Sequence, residues 1–293
     1  MFDLIKTDFY RIFKSKTFFV ILGIAVGLPI LTALMVFGIN KGFNLLIGEG
    51  GEDFAAINGK LLISGIYGLS SNVGIILPIF LVIFVSGDVS NGLLRNKILV
   101  GKSRTQIYFS HLFVITIISL AFISISALIL SLLTFWLIPY GNNIDTLEVW
   151  SIIFYYILGT LAFIFIASLV VMMTLNFNHI VFPIIIVVLF GIGITLLSQI
   201  LGLVINSLEM FTKIPEVLLP IVKNIPYLIP CYSGISFSSG FGIDMGDFEN
   251  PTSFSSQMRD LILHFSLGAV SLVVFSFLAT LGGLISFKKK EIK

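Results

Sequence analysis

The residues with the most chemical reach crowd into one short stretch between two long apolar runs: Asp88, Arg95, Lys97, Lys102, Ser103 and Arg104. Gly101-Lys102-Ser103 matches the end of a phosphate-binding loop, Gly-x-x-x-x-Gly-Lys-Ser/Thr, but Asn96 stands where the first glycine is required. Such a loop must also follow a buried strand and open a helix, whereas these residues trail a short helical stretch. Nucleotide binding by this chain is therefore not expected, and neither catalytic residues nor a resident cofactor are assigned. His111, His179 and His264 are far apart in sequence; metal sites need clustered donors, so these histidines read as interfacial. The single cysteine, Cys231, can form neither an intrachain disulfide nor a cysteine-based metal site.

The elements that position this charged stretch are set by composition. Hydrophobic residues make up 57% of the 293, charged residues 11%, and the mean hydropathy is +1.09. A soluble domain carries about 25% charged residues. Runs free of Asp, Glu, Lys and Arg cover Thr17–Asn40, Leu61–Gly87, Thr105–Tyr140, Val149–Phe177, Ile180–Leu208 and Leu261–Phe287. Each exceeds the roughly 20 residues that cross a bilayer core. The expected fold is an all-α integral membrane protein with six transmembrane helices, a cytoplasmic helix over 1–16 and a transmembrane domain over 17–293. The first run is longer than a signal-peptide core and lacks an Ala-x-Ala site, so no cleavage is expected.

Twelve of the 17 basic residues fall in the N-terminal segment, the 88–104 loop and the C-terminal tail. With six spans the two sides carry formal charges of +8 and −6, which places both termini in the cytoplasm. No groove-reading motif accompanies the basic clusters, so nucleic acid is not an expected partner.

Residues 2–16 form an amphipathic pattern, with Phe2, Ile5, Phe9, Ile12 and Phe13 on one face and Asp3, Thr7, Arg11, Lys14 and Ser15 opposite. An interfacial helix leading into the first span follows. In the 88–104 loop, Asp88 or Ser90 can cap a short helix, and Gly101 sits where its C-terminus needs positive φ. That helix carries Leu93, Leu94 and Ile98 as apolar and Arg95 and Lys97 as polar residues.

The run Phe84-Val85-Ser86-Gly87-Asp88, then Ser90-Asn91-Gly92-Leu93-Leu94-Arg95-Asn96-Lys97, then Gly101-Lys102-Ser103-Arg104 before a long helix, resembles the permeases of the ABC-2 class. Asn91-Gly92-Leu93 stands where many members have Ser-Gly-Thr. The segment Lys6-x-Asp8-Phe9-Tyr10-Arg11, continued by Ser15-Lys16-Thr17, is similar to that family's first cytoplasmic helix. The resemblance implies a permease subunit that pairs with a second permease subunit, as homo- or heterodimer, and with a separate ATP-binding-cassette ATPase carrying ATP and Mg. Helix 89–100 would be the coupling helix, with Asp88, Leu93, Leu94, Arg95, Lys97, Ile98 and Arg104 as coupling residues. Its apolar side chains would fill the ATPase cleft. An external re-entrant hairpin between spans five and six is implied as well, over the proline-cut segment 209–260.

No Asp, Glu, Lys or Arg lies within any of the six runs. Ion-coupled carriers usually bury such groups, so energy is expected to enter from outside the bilayer. Ser64, Ser71 and Asn72 in the second run, and Thr195, Ser198, Gln199 and Asn206 in the fifth, recur at helical spacing. They form either a packing seam or a substrate path. The leading expectation is an exporter of an amphipathic peptide, or another lipophilic substrate, in a bacterial cell membrane; the bacterial reading rests on 13 Lys against 4 Arg. The alternatives are a non-transporting scaffold or sensor, and an autonomous channel or secondary carrier.

Overall fold

The computed structural model describes residues 1–47, 72–137, 146–177, 179–211, 228–229 and 251–290. Eight helices account for almost all of these, and no strand occurs among the described residues. They are α1 (Phe2–Lys14), α2 (Lys16–Ile47), α3 (Asn72–Ser90), α4 (Leu93–Leu99), α5 (Arg104–Leu137), α6 (Thr146–Asn176), α7 (Val181–Phe211) and α8 (Pro251–Lys289). The chain is thus an all-α protein of multi-pass membrane type. By length and composition, four of the described helices can cross a bilayer: Lys16–Gly42, Arg104–Leu137, Tyr156–Asn176 and Leu261–Lys289. A fifth crossing arises if α3 and α4, bent by 56° at their junction, count as one. Of α7, Val181–Ile194 registers only as a shorter apolar helix. The expected count of six is therefore not reached on these criteria. Of the polar stripes, Ser64 and Ser71, like the 212–227 and 230–250 parts of the external segment, lie outside the described residues, as do the side chains of Asn72, Thr195, Ser198, Gln199 and Asn206.

Helix α6 is the centre of the bundle. Leu158, Ala162, Phe163, Ile166, Ala167, Val170, Val171 and Leu175 are all buried, and it packs against α8, α5, α3 and α7. The α6–α8 contact is the most extensive in the fold. It depends on Gly283: a Cβ there would collide with the Tyr108 hydroxyl and lie 2.8 Å from Met172 Cγ. Tyr108 is fully buried and its hydroxyl has no hydrogen-bond partner among the described residues. Overpacking of this kind costs about 1–3 kcal/mol. Gly283→Ala should lower the unfolding midpoint in detergent, and Tyr108→Phe in the same chain should recover part of the loss by removing the colliding atom. A Gly283→Ala chain as stable as wild type would show that α8 does not approach α6 this closely.

The helix ends explain the sequence between α3 and α5. Gly92 takes φ 67, ψ 13, a left-handed turn that bends the chain directly out of α3 and into α4. At the other end, the Gly101 amide donates to Ile98 O at 2.9 Å and the Lys102 amide to Lys97 O at 3.2 Å. This is a Schellman motif, with Gly101 at φ 83 as its left-handed residue. Two residues later, the Gln106 amide donates to Ser103 Oγ and the Ser103 amide to Gln106 Oε1, both at 3.3 Å. These reciprocal bonds are a capping box opening α5. Gly101 and Ser103, two of the three residues that imitate a phosphate loop, thus end one helix and begin the next.

Candidate functional site

One end of the bundle gathers α1, the last turn of α3, α4, the first turns of α5 and the C-termini of α6 and α8. At its centre sit two carboxylates, Asp8 and Asp88, each only 1% exposed. Arg11 Nη2 pairs with Asp88 Oδ1. Lys97 Nζ donates to Asp8 Oδ1 at 2.8 Å and lies 3.5 Å from Asp88 Oδ2. The Ser110 hydroxyl donates to Asp8 Oδ2 at 3.0 Å. Asp8 therefore joins α1 to α4 through Lys97 and to α5 through Ser110. Asp88 ties α3 to α1 and α4. Two acids against Arg11 and Lys97 leave no net charge, which is what lets the group be buried. The Arg11 guanidinium also lies over the Phe84 ring, 5.6 Å from its centroid.

Helix α1 carries half of this cluster because of its spacing. Leu4, Asp8 and Ile12 recur every four residues and form its buried stripe. Ile5 and Phe9 are packed beside them against the core. Phe2 and Phe13 are 87% and 52% exposed. Of the five apolar residues expected at the membrane surface, Ile5, Phe9 and Ile12 thus pack on the bundle, whereas Phe2 and Phe13 stay outward. Helix α1 docks through a stripe with a carboxylate at its middle and leaves the two phenylalanines outward, where a membrane surface would take them. Ser15 then accepts from the Phe18 amide at 3.2 Å and caps α2.

Several expected coupling residues make contacts within the chain itself. Asp88 does not cap α4: it belongs to α3, the cap position is Gly92, and no side chain bonds there. The two cations draw the Asp88 carboxylate inward instead. Leu94 is 4% exposed and belongs to the core of the chain itself. It is not free to enter a partner's cleft. Ile98 is likewise packed against the core, and Leu93 is half-buried. Lys97 points inward to Asp8 rather than to a rim. Arg95 is exposed. The apolar side chains that α4 presents outward are Leu99 and Val100, 74% and 76% exposed.

Arg104 is also engaged within the chain. Its Nη1 donates to the carbonyls of Phe287, Lys288 and Lys290, at 3.2 Å and 2.9 Å for the first two. These are the unpaired acceptors at the end of α8, where a cation also meets the negative end of the helix dipole. Lys290 Nζ does the same for α6, donating to Leu175 O at 2.8 Å. Burial beside this helix end holds the Lys290 pKa below the usual lysine value.

Asp8, Arg11, Ser110 and His111 were not assigned to a site from the sequence. The available signal was Asp8 in the same four-residue register as Leu4 and Ile12. His111, expected at an interface, is 1% exposed inside the cluster, because α5 turns it toward Asp88 and Lys97. Among the described residues, no group of three His, Cys, Asp or Glu is placed to hold a metal ion. Comparison of the chain with protein-family models, curated proteins and solved structures finds no match.

Proposed function

We propose that this chain is the permease subunit of an ATP-driven exporter of the ABC-2 type, working with a separate ATP-binding-cassette ATPase and a second permease subunit. The observation that carries this reading is α4: a short helix set at 56° to α3, tied by Lys97 to Asp8 of α1 and Asp88 of α3, with Leu99 and its C-cap Val100 facing out. A helix held this firmly can pass a push from a partner into α1, α3 and α5. The motifs of residues 84–104 and 6–17 support the family reading. On it, α3 and α7 supply two crossings beside the four clear ones and α4 lies in the cytoplasm, giving six spans with both termini on the cytoplasmic side of a bacterial cell membrane. ATP and Mg bind the partner, and this chain hydrolyses nothing. The substrate is an amphipathic peptide or another lipophilic molecule moved outward.

Ion-coupled carriage is the weaker reading. The buried charges Asp8, Arg11, Asp88 and Lys97 are paired at one end of the bundle and do not form a relay along it. The test is to purify the chain in mild detergent from the membranes of its source cells. An ATPase of the ATP-binding-cassette class should accompany it, and the pair should hydrolyse Mg-ATP in proteoliposomes while the chain alone does not. Turnover by the chain alone, or purification without such an ATPase, contradicts the proposal.

A further inference from the structure

The exporter reading leaves one titratable group of the cluster without a use. His111 Nε2 stands 3.4 Å from Lys97 Nζ and 3.6 Å from Asp88 Oδ2. Burial works against a proton on it, as do Lys97 from α4 and Arg11 from α1, whereas Asp88 from α3 and Asp8 from α1 favour one. Arg11 occupies Asp88 Oδ1, but Oδ2 is buried and receives no hydrogen bond among the described residues. A buried carboxylate oxygen normally has a donor. Here the donor is one proton away. We propose that His111 Nε2 and Asp88 Oδ2 form a proton-binding site that sets how tightly α4 is held to the bundle. This goes beyond the exporter reading and does not depend on an ATPase.

In the neutral state the Lys97 ammonium can only donate, so His111 must accept at Nε2 and carry its proton on Nδ1. A proton taken up from water adds to the Nε2 lone pair. Nε2 then becomes a donor directed at Asp88 Oδ2, and Lys97 loses an acceptor. The balanced cluster also gains a positive charge beside the Lys97 ammonium, where little water screens it. Acid therefore satisfies Asp88, removes the Lys97–His111 contact and sets a like charge beside Lys97, which loosens its bond to Asp8. The two events pull α4 away from α1 and α5 while α1 and α3 stay joined through Arg11.

Hydrogen exchange of residues 93–100 in the full-length chain, held in lipid nanodiscs, tests this. After correction for the intrinsic pH dependence of exchange, opening should be about threefold greater at about pH 5.5 than at about pH 8. His111→Gln keeps an acceptor for Lys97 and cannot take a proton in this range, so its exchange should be equal at the two values. Equal opening of wild type at both values overturns the proposal, and so does an acid response retained in full by His111→Gln. Should the variant fail to fold, the imidazole nitrogen resonances of wild-type His111 decide: they must titrate together with the opening of α4, and a His111 that does not titrate over the range overturns the proposal.

Discussion

Asp88→Ala is expected to destabilise the chain by about 3 kcal/mol, near the low end for removing one partner from a buried ion pair. The reason is the charge left behind. Asp88 takes Arg11 on one oxygen and has Lys97 3.5 Å from the other. Without it, the cluster holds Arg11, Lys97 and Asp8, a net positive charge in a nearly dry site. Arg11 keeps 36% of its side-chain surface exposed, so water offsets part of the loss and sets the estimate low. Arg11→Met added to Asp88→Ala restores the balance of Asp8 against Lys97 and should recover part of the stability. Such non-additivity is what contacting charges produce in a double-mutant cycle. Denaturant midpoints in detergent for wild type, both single variants and the double variant check this. Strict additivity would mean that the two residues do not act as a pair.

The second large effect separates two residues of one helix. Leu94→Asp places a carboxylate in a position that is 4% exposed and packed in the core. An unpaired buried charge is among the few causes of losses above about 4 kcal/mol, so the isolated chain should fail to reach a stable fold, with no ATPase needed to reveal it. Leu99→Asp and Val100→Asp change residues 74% and 76% exposed. Together they should leave the unfolding midpoint within about 0.5 kcal/mol of wild type. Yields of monodisperse protein and thermal unfolding in micelles distinguish the two cases. A well-folded Leu94→Asp chain would place Leu94 on the outside of α4.

The long helices were legible because a charge-free run of more than 20 residues has few other stable solutions. Gly101 was legible for a similar reason: a glycine after a short helical stretch commonly closes it in the left-handed conformation. The inward face of α4 was not legible. Seven residues make two turns, and Leu93, Leu94, Ile98, Leu99 and Val100 put apolar side chains on more than one side of them. Only packing against α5 and the core decides that Leu94 goes in and Leu99 out. The charge cluster was hidden by distance along the chain. Asp8 and Lys97 are 89 residues apart, and Arg11 and Asp88 are 77. Each looks like an ordinary charge at the edge of a span until α1 folds back across the bundle. Asp88 was read as a cap because acids favour helix starts; two cations within reach outweighed that local preference.

On the exporter reading, the outward face of α4 receives an ATPase. This is tested most directly by Mg-ATP turnover in proteoliposomes that hold the ATPase with either the wild-type chain or the Leu99→Asp/Val100→Asp chain. Burying a Leu and a Val in a partner contributes about 1.5–3 kcal/mol each, so losing both should weaken association more than 100-fold, as each 1.4 kcal/mol is about tenfold. The variant should insert and fold normally, the ATPase should no longer co-purify with it, and turnover should fall to the level of the ATPase alone. Wild-type association and turnover with the folded variant would contradict this reading.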